Sequence, residues 1–159
     1  MITKDSQAYR ILSLVAVSGE CSEDALALLL PQESYRQKVL HRLLEDKLLS
    51  KYQKEEQKGF RLMRKGKEGL LQLDQERFPF YLEDGADFSM RRTKLSQRQR
   101  QHRISETLAM MERAGIPIYR DQKYPIFEKE VQQAEAFSQA AFFHPKEVKI
   151  QTDLTRKII

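Results

Sequence analysis

The sequence predicts an α+β fold, in which three helices, a β-hairpin and a fourth helix precede a long helix and a small α/β region. Three observations lead to this prediction. Apolar residues recur at helical spacing through the first 48 residues. The pattern then changes to two short strands around a polar turn that contains glycine. Helical spacing returns in a longer segment after residue 93.

Two helices are expected at the N-terminus. Apolar residues at helical spacing predict the first helix over 5–18. Ser22 followed by two acidic residues is typical of a helix start, because its hydroxyl caps free amides and the acids face the positive end of the helix. The second helix is therefore expected over 23–30. Pro31 interrupts it, because proline cannot continue a helix.

Ser34 is the predicted N-cap of a third helix that runs to about Leu48. The apolar stripe of this helix is formed by Val39, Leu40, Leu43, Leu44 and Leu48. The opposite face carries Ser34, Lys38, His41, Arg42 and Glu45. This helix is therefore expected to bury one side and to present a polar, partly basic side.

A hairpin and a fourth helix are expected next. Strands are predicted over 49–54 and 60–63, on either side of a charged turn over 55–59. A helix then resumes over 68–73. The order of elements in this part of the chain is helix, helix, helix, hairpin, helix.

This order resembles the winged helix-turn-helix. Residues 34–49 resemble the recognition helix and its Leu-Leu exit into the wing. Residues 59–70 resemble the second strand of the wing and the turn into the next helix, although Met63 replaces the usual threonine. The resemblance covers about residues 5–73 and implies a DNA-binding module whose third helix enters the major groove.

Three parts of the chain are expected from these patterns. A winged helix-turn-helix DNA-binding domain is predicted over 1–75, an acidic linker over 76–92, and a small α/β C-terminal region over 93–159. The end of the sequence has no clear stop signal. Two explanations stay open, an incomplete C-terminal region or a tail that needs a partner.

A long helix is expected to open the C-terminal region. It is predicted over 93–115, with strands following at 116–120, 140–143 and 148–150. A buried stripe of Ile104, Leu108 and Met111 is predicted on this helix. Arg98, His102, Ser105 and Arg113 are predicted on the opposite side. The stripe would serve either a homodimer or the closure of the C-terminal region onto itself.

A second resemblance concerns the whole chain. A winged-helix pattern followed by Arg-Gln-His-Arg-Ile-Ser-Glu at 100–106 and a small α/β segment resembles the replication-relaxation family of plasmids and integrated mobile elements. The matching residues include His102 and the segment from Phe142-Phe143 to Glu147-Val148-Lys149. Members of that family are generally longer. The resemblance therefore implies that much of the second domain is missing here.

The charge is unevenly distributed along the chain. The net charge is +5, from 28 basic and 23 acidic residues. Residues 74–90 are mainly acidic, whereas residues 91–103 contain six Lys or Arg and no acid. Clustered cations of this kind favour binding to nucleic acid, and a solvated helix face is the alternative interpretation.

Three groups of residues are the predicted DNA contacts. The third helix offers Ser34, Tyr35, Lys38, His41 and Arg42. The hairpin and the residues after it offer Lys51, Lys54, Lys58, Arg61, Arg64 and Lys65. The basic block offers Arg91, Arg92 and Arg98. For each group, the alternative interpretation is an ordinary solvated surface that binds no DNA. In the hairpin, Glu55 and Glu56 at the turn would also repel phosphate.

The patterns typical of enzymes are weak in this chain. Glu147-Val148-Lys149 has the Glu-x-Lys form of metal-dependent nucleases, with Asp121 as a second carboxylate, but this form is common by chance. The three histidines and Cys21 lack the spacing of metal ligands. No Gly-rich phosphate loop is present. We therefore predict no catalytic residue, no metal or other cofactor, and no small-molecule substrate.

The function predicted from the sequence is non-enzymatic binding of double-stranded DNA, in transcriptional control or in plasmid or mobile-element replication. One alternative is a winged-helix module that binds a protein within a replication or conjugation complex. The other is a partial or degenerate metal-dependent nuclease. A cytoplasmic location is expected, because the sequence has no signal-peptide core and no apolar run long enough to cross a membrane.

Overall fold

The computed structural model describes residues 2–82 and 94–123, together with His144 and Glu147. In this part of the chain, the fold is mixed α+β, with six α-helices and a three-stranded antiparallel sheet. The α+β class predicted from the sequence is confirmed. Among these residues, no helix has the length and apolar character that crossing a membrane requires.

The elements follow one another closely along the chain. The helices are α1 Gln7–Ser18, α2 Glu23–Leu29, α3 Glu33–Glu45, α4 Arg64–Leu73, α5 Pro79–Leu82 and α6 Leu95–Arg113, and a 3-10 turn follows at Arg120–Gln122. The strands are β1 Cys21–Ser22, β2 Leu49–Lys54 and β3 Gln57–Leu62. β3 lies between β1 and β2 and is antiparallel to both.

Serine hydroxyls begin the first two helices. The Tyr9 amide donates to Ser6 Oγ at 3.1 Å, and the Ala25 amide donates to Ser22 Oγ at 3.0 Å. Each bond satisfies an amide that has no partner within its own helix. The predicted start of the second helix is confirmed, and Ser22 also forms part of the short strand β1, which the sequence did not predict.

α3 begins and ends earlier than predicted. Ser34 lies inside the first turn, and the cap position is Gln32, whose side chain makes no cap hydrogen bond. Lys47 has a φ of 56°, and the Leu48 amide donates back to the Leu43 carbonyl at 2.9 Å. This is a Schellman-type ending, in which a lysine occupies the left-handed position that usually holds glycine. Without that glycine, the predicted end at about Leu48 was three residues late.

The hairpin turn is shorter than predicted. Glu55 and Glu56 have φ values of 52° and 62°, so two left-handed residues connect β2 to β3. β3 therefore begins at Gln57, three residues before the predicted strand. Gly59 was expected in the turn, but it lies inside β3, opposite Tyr52.

The long helix α6 packs against α1, α2 and β1, so it contributes to the same core as the N-terminal elements. Leu108 and Ala109 are fully buried there. Arg98, His102 and Ser105 are buried as well. The prediction that these three polar residues lie on the outer side of the helix is therefore wrong, because polar partners from other elements meet them inside.

Polar contacts fix α6 against the first two helices. Arg10 of α1 donates to both carboxylate oxygens of Glu112, at 2.9 and 2.6 Å. Ser22 donates through its hydroxyl to Glu106 at 2.9 Å and through its amide to Ser105 Oγ at 3.3 Å. The position of α6 is thus set by directional bonds as well as by apolar packing.

The helix α6 and the segments on either side of it differ from the sequence prediction. Ile104 and Met111 of the predicted stripe are only partly buried. The predicted strand over 116–120 is wrong, since this segment leads into the 3-10 turn. Within the predicted acidic linker, α5 forms beside the fully buried Phe78. The remainder of the linker, over 83–92, and the strands predicted after residue 123 lie outside the described residues.

We expect Gly59→Ala to destabilise the protein by about 1–3 kcal/mol, the usual cost of overpacking a core. A Cβ at this position would lie 2.3 Å from Glu20 Oε1 and 2.7 Å from His102 Nε2. Gly69→Ala is the matched control, because no atom lies within 4 Å of a Cβ there. In the α4 interior this change should stabilise the protein by about 0.5–1 kcal/mol. Urea denaturation measures both, and a neutral Gly59→Ala would contradict the packing described.

Candidate nucleic-acid interface

The exposed face of α3 brings together the first group of predicted DNA contacts. Leu40 and Leu43 are buried in the core, so the other side of the helix faces solvent. All five predicted residues of this helix are exposed, namely Ser34, Tyr35, Lys38, His41 and Arg42. α3 therefore presents hydroxyl, imidazole and cationic groups on one accessible surface.

The connection between α2 and α3 is held by Arg36. Its Nη1 donates to the carbonyl of Leu30 at 2.7 Å, within the three-residue connection that contains Pro31. This contact fixes where α3 begins relative to α2. Arg36 is therefore engaged with the backbone, and it is not among the predicted contacts.

Two cations on α3 are available to a ligand. Lys38 and Arg42 lie one helical turn apart, and neither forms an ion pair with any residue that the structure describes. His41 Nε2 lies 3.1 Å from Glu45, and both side chains are largely exposed. Exposed pairs of this kind contribute little to stability, so a ligand can displace this contact at small cost.

The hairpin offers less positive charge than predicted. Lys51 Nζ lies 3.1 Å from Glu23 of α2, so this cation is already paired. Lys54 and Lys58 are exposed, but the two residues of the turn between them are both glutamates. The exposed charges at the hairpin tip therefore cancel.

Arg64 and Lys65 were predicted as wing residues, but they begin α4. Arg64 Nε lies 2.8 Å from Glu68, one turn along the same helix. Lys65 Nζ donates to the backbone carbonyl of Asp46 at 3.1 Å, beside the end of α3. The structure thus places Lys65 beside the end of α3, and both cations lie away from the hairpin tip.

A buried carboxylate lies behind the hairpin, at the centre of a group of basic residues. Glu20 is fully buried between α1 and β1. Arg61 Nε lies 2.7 Å from one of its carboxylate oxygens. Arg98 Nη2 and His102 Nε2 each lie 2.7 Å from the other oxygen. We name these four residues the Glu20 cluster.

The Glu20 cluster also binds the hairpin backbone. Arg98 donates to the carbonyls of Lys54 and Gln57, at 2.9 Å each. The Tyr52 ring contacts both guanidinium groups, with ring-centroid distances of 3.8 Å to Arg61 and 4.6 Å to Arg98. The hairpin, α6 and the residue before β1 are therefore joined through one charged centre.

Burial removes Arg61 and Arg98 from the set of DNA contacts. Their side chains are 9% and 1% exposed, and their guanidinium groups are occupied by Glu20. Neither side chain reaches the surface where a phosphate would lie, so the prediction for these two residues is corrected. Arg91 and Arg92, the other predicted contacts of the basic block, lie outside the described residues.

Sequence reasoning missed Glu20. Its partners lie 41, 78 and 82 positions away, so no local spacing connects them. One signal was present in the strand, where Gly59 leaves room for the carboxylate. A glycine inside a strand often marks such a close approach.

Burial alone would raise the pKa of Glu20, but hydrogen bonds from His102, Arg98 and Arg61 outweigh it and lower the pKa to about 2. The carboxylate is therefore ionised at neutral pH. Its single negative charge offsets part of the positive charge of the two buried guanidinium groups, which would be costly to bury alone.

The two carboxylates considered for a nuclease site each face a cation. Asp121 accepts from Arg77 at 2.9 and 2.8 Å. Glu147 accepts from Lys123 Nζ at 3.0 and 2.8 Å. Among the described residues, no group of three or more His, Cys, Asp or Glu side chains is placed to hold a metal ion. Lys149 lies outside the described residues.

Cys21 has the surroundings of a structural cysteine. It is fully buried, and burial raises the pKa of its thiol above the usual range. A thiol that stays protonated is a poor nucleophile and reacts slowly with oxidants. The residue fits a packing role in β1.

Comparison with known proteins gives no match. No family model matches the chain, and no curated protein or solved structure is significantly similar to it.

We expect Glu20→Gln to destabilise the protein by about 3 kcal/mol at pH 7, because it leaves two buried guanidinium groups without a counter-charge. The carboxyl pKa is lower in the folded chain than in the unfolded chain. The stabilisation is therefore complete above about pH 4.5 and is lost as the pH falls towards about 2.

Urea denaturation of both proteins between pH 7 and pH 3 measures this difference. The gap between wild type and Glu20→Gln should narrow at the acidic end. Glu45→Gln is the control, because its exposed pair with His41 should be worth less than about 0.5 kcal/mol. A Glu20→Gln variant as stable as the control would contradict the role assigned to the cluster.

Proposed function

We propose that this chain is a winged helix-turn-helix protein that binds double-stranded DNA, with α3 in the major groove. The order α1, β1, α2, α3, β2, β3 supports this proposal, as does the three-residue connection between α2 and α3. β2 and β3 would form the wing. The protein would be non-enzymatic.

The observation that carries the proposal is the pair of exposed cations on the outer face of α3. Lys38 and Arg42 project from a helix whose other face is anchored in the core by Leu40 and Leu43. An α-helix fits the major groove of B-form DNA, where such side chains reach guanine edges and phosphates. Rigid support with free charge at the surface is the arrangement that groove binding requires.

The remaining side chains of this face would supply hydrogen bonds. Ser34 and Tyr35 carry hydroxyls that can donate to phosphate oxygens, and His41 can meet a base edge or a phosphate. Glu45 adds one negative charge near the end of the same face, where it pairs with His41. We propose that the protein acts in transcriptional control or in the replication of a plasmid or mobile element, a role that rests on the resemblance described above.

A protein-binding winged helix is the second candidate. The observation that favours it is a groove of about 420 Å³ between α2 and α3, whose lining includes Glu23, Asp24 and Glu33. Acidic side chains beside the proposed reading helix repel phosphate and suit a basic protein surface. In this candidate, α3 and the groove would face a partner in a replication or conjugation complex.

Fluorescence anisotropy with a labelled duplex of random sequence, about 30 base pairs long, tests the proposed function at two salt concentrations. Binding that is micromolar or tighter and that weakens steeply with salt would support duplex DNA as the partner, because each neutralised phosphate releases counterions. A lack of binding at low salt would contradict the proposal and would favour the protein-binding candidate.

We expect the double variant Lys38→Ala with Arg42→Ala to bind the duplex at least tenfold more weakly, roughly 1.4 kcal/mol or more, because two phosphate or base contacts are lost. Arg103→Ala with Arg113→Ala is the matched control, since it removes two exposed cations of α6, outside α3 and the hairpin. Anisotropy titrations of both variants give the comparison. Equal losses would indicate that α3 has no special role.

A further inference from the structure

We propose that the phosphate backbone of the bound duplex lies along the edge formed by α3 and the start of α4, and that the hairpin contributes little. This inference rests on the proposed function and specifies which surface carries the electrostatic contact. The surface, named here the basic edge, consists of Lys38, Arg42, Lys47, Arg64 and Lys65.

The start of α4 is bonded to the short segment that follows α3. The Met63 amide donates to the Leu48 carbonyl at 3.0 Å, and Lys65 Nζ donates to the Asp46 carbonyl at 3.1 Å. Gly66 makes this approach possible, because a Cβ there would lie 2.3 Å from the Leu48 carbonyl oxygen. Lys65 is therefore fixed beside the C-terminal end of α3, and Arg64 precedes it in the chain.

The two α3 cations face the same side. Lys38 and Arg42 line an open groove of about 510 Å³ between α1 and α3, which also includes Tyr35 and Asp46. Asp46 is the residue whose carbonyl receives Lys65. The groove and the start of α4 thus form a continuous surface.

The charge of the basic edge is clearly positive. All five cations are exposed. The acids close to them are Glu45, Asp46 and Glu68, and Glu68 forms an exposed pair with Arg64. Five positive charges against three negative ones leave a net charge of about +2 on one edge of α3, which attracts the phosphate backbone of a duplex.

The opposite side of α3 has the reverse character. Its groove is lined by three acids, Glu23, Asp24 and Glu33, which outnumber the Arg and Lys residues there, Arg36 and Lys51. Lys51 is paired with Glu23, and Arg36 donates to a backbone carbonyl. A phosphate backbone on this side would meet unneutralised carboxylates.

The hairpin does not supply the positive charge that the acidic groove between α2 and α3 lacks. Lys54 and Lys58 are balanced by Glu55 and Glu56 in the turn, and Arg61 is buried in the Glu20 cluster. The net exposed charge of the hairpin tip is therefore close to zero. Of the surfaces beside α3 that the structure describes, the basic edge is the one that offers uncompensated positive charge.

Two double variants, matched in chemistry, test the inference on the full chain. Lys47→Gln with Lys65→Gln removes two charges from the basic edge, and Lys54→Gln with Lys58→Gln removes two from the hairpin. The edge change removes a cation from the positive end of the α4 dipole, but it also removes the Lys65 hydrogen bond to the Asp46 carbonyl and a cation beside the C-terminal end of α3. These effects are small and oppose one another, so thermal unfolding should show a midpoint close to that of the wild type for the edge variant.

The readout is the affinity for a random-sequence duplex of about 30 base pairs as a function of salt. The edge variant should bind roughly tenfold more weakly, and its slope of log affinity against log salt should be shallower by about 2, since two phosphate contacts are lost. The hairpin variant should keep the affinity and the slope of the wild type.

The outcomes separate this inference from the proposed function. If the wild type binds the duplex and the hairpin variant loses as much affinity as the edge variant or more, the inference is overturned while duplex binding stands. If the wild type fails to bind duplex DNA, or binds single-stranded RNA far more tightly, the proposed function fails and the inference fails with it.

Discussion

The fold depends on one buried carboxylate. Glu20 is fully enclosed, and an ionised group in that position is tolerated only when cations and hydrogen-bond donors surround it. Arg61 of β3, together with Arg98 and His102 of α6, provides those partners. The sheet and the long helix are therefore held by the same charge. Removing either element would leave the others with unpaired buried groups.

Because of this arrangement, some basic residues of the chain are buried as partners of Glu20, whereas others remain exposed at the surface. Arg61 and Arg98 neutralise an internal acid and fix the hairpin, so their charge is not expressed at the surface. Lys38 and Arg42 have no such partner among the described residues and remain exposed on α3. A modest net charge of +5 therefore says little about the interface. What matters is which cations are left uncompensated once the core has formed.

Local sequence patterns predicted most of the helices and the hairpin. They did not predict which side chains, distant along the chain, pair with one another in the core. Helical spacing located α1, α2, α3 and α6, and the change of period located the hairpin. The ends of α3 and of the turn were missed because Lys47 and Glu55 adopt left-handed backbone conformations without glycine. The exposed face of α3 was predicted correctly by its periodicity. The burial of Arg98 was not, because its acidic partner lies 78 positions away.

The distance along the chain between Glu20 and α6 also bears on how the molecule forms during synthesis. Chains emerge from the ribosome N-terminus first, at about 5–20 residues per second. Glu20, α1 and the hairpin are then exposed for several seconds before Arg98 and His102 leave the exit tunnel. During that interval the carboxylate has only Arg61 within its eventual cluster. Until α6 has been translated, Glu20 therefore lacks two of the three basic partners that it has in the folded protein.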